Sequence, residues 1–116
     1  MGNPVKSFDI GCRDLEKTAN FYCEAFGWSQ EPNGSLQVKV DTGSTEGIQG
    51  MITALGHEPH NYVMCYVETE DIQASAATIK ELGGEVVIGP LPVPSGGQFA
   101  WWKDPEGNLM GLFQPE

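Results

Sequence analysis

The sequence has 116 residues, of which 40% are hydrophobic and 19% charged, and its formal net charge at pH 7 is -10. This length suits one ordinary domain, and the apolar fraction is too high for a chain that is disordered by composition. No apolar run approaches the roughly 20 residues that cross a bilayer, and the excess of acidic groups repels nucleic-acid phosphates and anionic lipid. We therefore expect a single soluble domain over residues 1–116 that binds neither nucleic acid nor membrane.

The N-terminus and the cysteines both favour a cytoplasmic location. The first six residues contain no apolar stretch of the kind that secretory signal peptides carry. Cys12, Cys23 and Cys65 form no CxxC pair and leave an odd thiol in any pairing, so they indicate neither a disulfide framework nor a thiolate zinc site. We expect them to be small apolar side chains in a reducing compartment.

The first half of the chain predicts a strand, a helix and three further strands. Residues 5–12 alternate apolar and polar side chains, which is typical of a strand with one buried face. A helix follows, because Asp14 is a suitable N-cap, apolar side chains then recur at helical spacing, and Gly27 is a typical helix end. The other strands are predicted over residues 28–30, 36–40 and 48–54, so module one spans residues 5–54.

The second half repeats this order of elements. A strand over residues 62–68 precedes a helix that Asp71 caps and that ends at Gly83 and Gly84. Further strands are predicted over residues 85–88, 99–103 and 109–114, and residues 89–97 form a Pro- and Gly-rich loop that is either a lid or a passive connection. Module two therefore spans residues 61–114.

Two such modules in one core predict an α+β fold. We expect two βαβββ modules whose eight mainly antiparallel strands surround a cleft, with one main helix per module on the outside. The inner faces of the strands then line the cleft, which is where a ligand would bind.

Three segments resemble the signatures of a known superfamily. Residues 14–22, closing with residues 26–28, resemble the N-terminal signature of the glyoxalase/bleomycin-resistance/extradiol-dioxygenase superfamily, also called vicinal oxygen chelate proteins. Residues 81–86 and 104–108 resemble its C-terminal signatures. The resemblance covers residues 5–114 and implies paired βαβββ modules, frequently a homodimer and, in the enzymes, a divalent metal held by side chains from four strands.

The metal positions of the superfamily carry over to this sequence one at a time. They fall on Ser7, on or beside Gly50 with Gln49 as the nearest donor, on Tyr62 and on Gly111. None matches a strong ligand, since catalytic zinc, nickel or iron sites use about three ligands drawn from His, Cys, Asp and Glu. The resemblance thus implies the subgroup that lacks the metal ligands, with no metal and no cofactor. We also expect Trp101 to lie opposite Gly111, with its indole over the space of the missing carboxylate.

A separate metal hypothesis concerns residues 57–60, His-Glu-Pro-His. The two histidines are three residues apart with a proline between them, whereas a helical His-Glu-x-x-His site needs a spacing of four. The favoured interpretation is a solvated connector between the modules, and metal binding is the alternative.

Asp9 is the strongest single candidate for a catalytic or ligand-binding residue. It alternates with the apolar face of its strand and so is predicted to point into the cleft, where it would act as a base or hold a cationic group, with a pKa that burial raises. The alternatives are a solvated rim or a bond to a backbone amide. The other candidate ligand-binding residues share the cleft-facing phase of their strands and are Ser7, Tyr62, Met64, Tyr66, Phe99, Trp101 and Phe113.

The aromatic members of this set suit flat or apolar ligands and, in anionic surroundings, cations. The alternative is that they fill the core.

The leading functional hypothesis is a cytoplasmic, homodimeric small-molecule-binding protein without a family-type metal, similar to the drug-binding resistance members of the superfamily. The alternative is a lyase, isomerase or dioxygenase relative that uses a noncanonical site, such as Asp9, or a recruited divalent metal. A third hypothesis is a filled cleft and an interaction role through the dimer surface. The sequence is thus compatible with both a binding protein and an enzyme.

Overall fold

The computed structural model describes residues 2–116, in which eight strands and two helices follow one another in the order βαβββ-βαβββ. Their bounds are β1 (Val5–Gly11), α1 (Leu15–Phe26), β2 (Ser29–Pro32), β3 (Gln37–Asp41), β4 (Gln49–Thr53), β5 (Val63–Glu68), α2 (Ile72–Glu81), β6 (Glu85–Pro92), β7 (Gln98–Lys103) and β8 (Leu109–Gln114). The predicted α+β class with two βαβββ modules is confirmed.

The described chain divides into two compact units. The N-terminal unit is Ser7–Met64, and the C-terminal unit is Cys65–Glu116 together with the described residues up to Lys6. In the N-terminal unit the strand order is β2-β3-β4-β1, and β1 runs parallel to β4 while the other neighbours are antiparallel. In the C-terminal unit the order is β5-β8-β7-β6, with β5 parallel to β8 and the other neighbours antiparallel.

In the N-terminal unit, α1 packs on one face of the strands. The Asp14 side chain caps the helix by accepting from the Lys17 N–H at 3.0 Å, and the helix ends at Gly27 in the left-handed conformation with φ 71°. The buried core of the unit consists of Ile10, Cys12, Ala19, Val38, Val40 and Ile52. Because strand side chains alternate, the residues between these core positions, Asp9 among them, lie on the face opposite α1.

In the C-terminal unit, α2 packs on the strands in the same way. Its N-cap is Asp71, which accepts from the Ala74 N–H at 3.0 Å. Ile72 of the helix is buried against strand residues, and the core cluster comprises Ile72, Ala100 and Leu112 with Val67, Ile79 and Trp102 packed around it. The alternate side chains of β5, β7 and β8 lie on the opposite face, and several of them are aromatic.

One predicted boundary is wrong. β6 continues to Pro92, so the first four residues of the predicted loop 89–97 belong to a strand. The pairing of β6 with β7 shifts register on either side of Ile88, and β6 is the last strand in the order of its unit. Prolines, which lack an N–H donor, are tolerated at a sheet edge and at irregularities of this kind. Within residues 2–116 no helix is both long enough and apolar enough to cross a membrane.

Candidate functional site

Asp9 has a buried carboxyl group in the N-terminal unit. The residue lies in β1 on the sheet face opposite α1 and is only 2% exposed. Its Oδ1 accepts a hydrogen bond from the Thr53 hydroxyl at 2.8 Å, and its Oδ2 accepts one from the Tyr62 hydroxyl at 3.3 Å. Burial raises the pKa of Asp9 from 3.8 to about 6, and the two hydrogen bonds oppose this rise because they favour the ionised form.

A chain of amide side chains continues from this carboxyl group into the turn between β2 and β3. Gln37 Nε2 donates to Thr53 Oγ1 at 2.8 Å, and Gln37 Oε1 accepts from Asn33 Nδ2. The Asn33 backbone N–H also donates to the Gln37 carbonyl at 2.9 Å, which closes the turn. Asp9 is thus the end of a hydrogen-bonded series that starts at the half-buried side chain of Asn33.

No ion pair to Asp9 is formed within residues 2–116. The ion pairs there involve Glu58, whose carboxylate lies 4.0 Å from Arg13 Nη2 and 3.7 Å from His60 Nε2. Lys39 lies on the same sheet face as Asp9 but two strands away, since Asp9 is paired with Met51 and Met51 with Lys39. A carboxylate accepts about four hydrogen bonds, so Asp9 retains capacity for further donors beyond the two hydroxyl groups.

Tyr62 reaches Asp9 because it lies against a glycine. The residue precedes β5, and its ring occupies the position that a Cβ atom of Gly11 would take. The Gly11 N–H donates to the Tyr62 carbonyl at 2.8 Å, which fixes the two backbones side by side. Any larger side chain at Gly11 would displace the ring and, with it, the hydroxyl group that Asp9 accepts from.

In the C-terminal unit, a second glycine accommodates an aromatic ring. Gly111 of β8 is paired with Trp101 of β7, as expected, and with Tyr66 of β5. The ring of Tyr66, rather than the indole, fills the position of the missing side chain at Gly111. Trp101 Nε1 donates to the Tyr66 hydroxyl at 2.8 Å, so a hydrogen bond joins the two buried aromatic side chains.

The remaining candidate residues divide between the two units. Ser7 is half-buried in β1 and is paired with Gln49, and Met64 is buried at the end of the same unit. Phe99 and Phe113 are half-buried partners across β7 and β8 in the C-terminal unit. The structure therefore brings Asp9 and Tyr62 together in one unit and Tyr66, Phe99, Trp101 and Phe113 onto one sheet face in the other.

The residues at the four expected metal positions do not fit the donor set of the superfamily's enzymes. Gln49 is engaged in the loop after β3, where its Oε1 accepts from the Thr42 N–H at 2.7 Å and its Nε2 donates to the Ser44 carbonyl at 3.3 Å. Gly50 and Gly111 have no side chain, and aromatic rings, of Phe8 and Tyr66, occupy the space beside them. Ser7 and Tyr62 offer hydroxyl groups, which are poor ligands for zinc, nickel or iron.

His57 and His60 lie in the segment between β4 and β5. His57 Nδ1 is 2.9 Å from the Glu58 carbonyl oxygen, and His60 contacts the Glu58 carboxylate. Over residues 2–116, no three His, Cys, Asp or Glu side chains are grouped closely enough to hold a metal ion.

Three residues of the site were not among the candidates chosen from the sequence: Thr53, Gln37 and Asn33. Thr53 and Gln37 are cross-strand partners in β4 and β3, on the face opposite the core residues Val38 and Ile52. Their polar phase in predicted strands indicated which face they occupy. The polar pattern did not indicate that Thr53 and Gln37 contact each other, because this contact depends on the register between β3 and β4.

Comparison with known proteins relates most of the chain to one family. A family model described as "Glyoxalase-like domain" matches residues 7–113. A glyoxylase-like domain-containing protein of Didymella fabae is 27% identical over 120 residues, covering 93% of this chain and 91% of that protein. A probable lactoylglutathione lyase of Vibrio cholerae is 32% identical over 114 residues, covering 87% of this chain and 83% of that protein. Two further curated relatives match over 55 residues only, at 34% identity, which covers 47% of this chain and 21% of each relative.

Solved structures agree on the fold. A methylmalonyl-CoA epimerase superposes on the chain with a TM-score of 0.72 at 15% identity, covering 100% of this chain and 98% of that one. Together with the family match and the duplicated βαβββ order, this shows that the chain belongs to the glyoxalase-like family of the vicinal oxygen chelate superfamily.

Proposed function

We propose that the chain binds a small organic ligand that presents a cationic or N–H donor group to Asp9, without a metal of the family type. The observation that carries this proposal is the buried Asp9 carboxyl group, which has two hydroxyl partners and no ion pair within the described residues. A buried carboxylate is costly unless a donor or a positive charge compensates it. A ligand ammonium or amidinium group would supply that compensation.

The pKa of Asp9 makes binding of this kind depend on pH. With a pKa of about 6, the carboxyl group is largely ionised at pH 7.5 and largely protonated at pH 5. A cation favours the ionised form, so its affinity should rise as the pH increases through 6 and level off above it. An anionic ligand would show the opposite trend.

The aromatic face of the C-terminal unit is a second candidate surface. Trp101 and Tyr66 are 6% and 8% exposed, whereas Phe99 and Phe113 are half-buried on the same strands. We propose that this face takes up flat or apolar groups, because aromatic rings stack on such groups and are attracted by cations.

The metal-free part of the proposal is supported by the donor chemistry at the four expected positions. Two of them are glycines against which aromatic rings pack, and the amide of Gln49 is already hydrogen bonded to its own loop. The ligand must therefore be held by carboxylate, hydroxyl and aromatic groups of the chain itself.

A second candidate function is an enzyme that uses Asp9 as a general base. A pKa of about 6 is close to the range in which a carboxylate can accept a proton efficiently near neutral pH. The similarity to a probable lactoylglutathione lyase suggests a carbon acid next to a carbonyl group as the substrate class. In D2O, S-lactoylglutathione should then exchange its α-proton with solvent in the presence of the wild-type protein and not with Asp9→Asn. No exchange above background with wild-type protein would leave binding as the function.

The binding proposal is tested with three probes of similar shape and different charge: benzylamine, benzyl alcohol and benzoate. We expect benzylamine to shift the backbone amide signals of Asp9 and Thr53 in ¹⁵N NMR spectra at pH 7.5, and to bind at least about tenfold more weakly to Asp9→Asn, since a hydrogen bond to a charged group contributes about 1.5–3 kcal/mol. The matched control is Glu31→Gln, which makes the same charge change on the exposed strand β2 and should leave binding unaltered.

Three results would contradict the binding proposal. One is that benzoate shifts these signals as strongly as benzylamine, and another is that Asp9→Asn binds benzylamine as tightly as the wild-type protein. The third is a complete lack of response to benzylamine, which would count against a cation-binding carboxylate.

We further propose a homodimer in the cytoplasm, as is frequent in the superfamily. A mass of about twice 12.6 kDa in light scattering after gel filtration would support the dimer, and a monomeric mass over the whole concentration range would exclude it.

A further inference from the structure

We infer that Gln37 is a positioning residue that fixes the direction of the Thr53 hydroxyl, so that Asp9 stands at the accepting end of a one-way hydrogen-bond chain starting in the β2–β3 turn. The inference rests on the proposed function, in which Asp9 binds the ligand. It assigns to that site two residues, Gln37 and Asn33, which do not contact the carboxyl group themselves.

The Thr53 hydroxyl has a single hydrogen, which it can donate to only one acceptor. Gln37 Nε2 donates to Thr53 Oγ1 at 2.8 Å, so one lone pair of the hydroxyl oxygen is used and its own hydrogen is left to be donated elsewhere. The acceptor in reach is Asp9 Oδ1, at 2.8 Å. The amide of Gln37 therefore determines that Thr53 donates to Asp9 rather than accepting from it.

Asn33 determines the orientation of the Gln37 amide. Gln37 Oε1 accepts from Asn33 Nδ2, which leaves Gln37 Nε2 facing Thr53. The hydrogen bond from the Asn33 backbone N–H to the Gln37 carbonyl at 2.9 Å keeps the two residues next to each other across the turn. Each donor thus points toward Asp9, in the order Asn33, Gln37, Thr53.

The reverse direction of this hydrogen-bond chain is compatible with a protonated Asp9 carboxyl group. If the Gln37 amide turned over, its Oε1 would accept from Thr53, and the Thr53 oxygen would present a lone pair to Asp9. An ionised carboxylate is destabilised by such a contact, whereas a protonated one can donate to it. The direction of the chain and the ionisation of Asp9 are therefore coupled.

In the N-terminal unit, the charged strand residues on the sheet face of Asp9 lie two or three strands away. On its own face, β3 carries Lys39 and Asp41 and β2 carries Glu31, two and three strands away. Tyr62 contacts the carboxyl group through its hydroxyl, and on β4 the residues facing this side are uncharged. Cys12, which follows β1, is buried; burial is the main cause of the raised pKa of its thiol, and the charge of Asp9 is a minor one.

The test is a double-mutant cycle read out on the Asp9 carboxyl carbon by ¹³C NMR titration. Gln37→Glu offers Thr53 an acceptor in place of a donor, so we expect the proton affinity of Asp9 to increase about tenfold, equivalent to one pKa unit. Thr53→Val removes the hydroxyl group that transmits this effect. In the Thr53→Val background, Gln37→Glu should therefore change the proton affinity of Asp9 by much less than tenfold.

Two outcomes would overturn the inference. One is an equal effect of Gln37→Glu in both backgrounds, which would mean that the added charge acts directly through space. The other is no effect of Gln37→Glu on Asp9 at all. If the Gln37→Glu protein does not fold, Gln37→Met serves instead, because it removes the donor without adding charge. It should raise the proton affinity of Asp9 in wild-type protein and leave it unchanged beside Thr53→Val.

A conservative variant and a ligand titration complete the experiment. Thr53→Ser keeps the hydroxyl group and should restore the response of Asp9 to Gln37→Glu. The double-mutant cycle could behave as expected while benzylamine binds wild-type and Asp9→Asn protein equally. That result would refute the proposed function and leave the positioning role of Gln37 intact. The opposite pattern would refute the positioning role alone.

Discussion

Replacing Asp9 by Asn should change how the stability of the protein depends on pH. The Asp9 carboxyl group has a pKa of about 6 in the folded chain, against 3.8 for an ordinary aspartate. Between these two values the folded state holds a proton that the unfolded state has lost, so the free energy of unfolding falls as the pH rises from about 4 to about 6. The difference in pKa corresponds to about 3 kcal/mol, and the loss is complete above pH 6. Asn cannot ionise, so the variant lacks this contribution.

The measurement is urea unfolding followed by circular dichroism at pH values from 4 to 7.5. Relative to wild type, Asp9→Asn should gain about 2.4 kcal/mol of stability between pH 4 and pH 7.5, because at pH 4 the unfolded carboxyl group is already partly ionised. Glu31→Gln, on the exposed strand β2, should show a pH dependence close to that of wild type. If Asp9→Asn follows the wild-type curve in parallel over this range, the carboxyl group is not buried in the way we describe.

Three further predictions concern the glycines, an unpaired indole and the tyrosine at the site. Gly111→Ala places a Cβ atom inside a neighbouring aromatic ring and should lower the free energy of unfolding by about 1–3 kcal/mol. The control Gly2→Ala adds a Cβ atom in open space and should leave the free energy of unfolding unchanged. Equal stabilities of the two variants would refute the packing of the ring against Gly111. Trp102→Phe removes a buried indole N–H that has no hydrogen-bond partner among residues 2–116. We therefore expect urea unfolding to show little loss of stability beyond that of the smaller ring, and a loss above about 3 kcal/mol would contradict this. Tyr62→Phe removes a donor that favours the ionised carboxylate, so the pKa of Asp9 should rise above its wild-type value in the ¹³C titration, and a fall would contradict the assigned hydrogen bond.

Much of the fold could be predicted from local patterns in the sequence. The alternation of residues 5–12 correctly separated the core positions, such as Ile10, from the opposite face with Asp9. Asp14 and Asp71 cap the two helices as expected, because an aspartate before an apolar helical stripe is a local signal that needs no tertiary contact. The repeated order of elements then followed from these local features.

The contacts that define the site could not be predicted in the same way. Thr53 meets Gln37 only because β3 and β4 pair in one particular register, and a shift of one residue would turn either side chain to the other face. Likewise, the sequence placed Trp101 opposite Gly111 but did not show that the ring of Tyr66, from a strand more than forty residues earlier, takes the space. The predicted strand β6 was too short because its proline and glycine residues are typical of loops. These residues are compatible with a strand here because β6 lies at the edge of its unit.

The central claim is that the chain binds a cationic ligand through Asp9 without the metal that the enzymes of the superfamily hold. The most direct test is calorimetric titration of benzylamine into protein treated with a chelator, at pH 7.5, for wild type and Asp9→Asn. We expect the chelated wild-type protein to bind benzylamine and Asp9→Asn to bind it at least about tenfold more weakly. Binding that appears only after Zn²⁺ or Ni²⁺ is added back, or that is equally strong in Asp9→Asn, would contradict the claim.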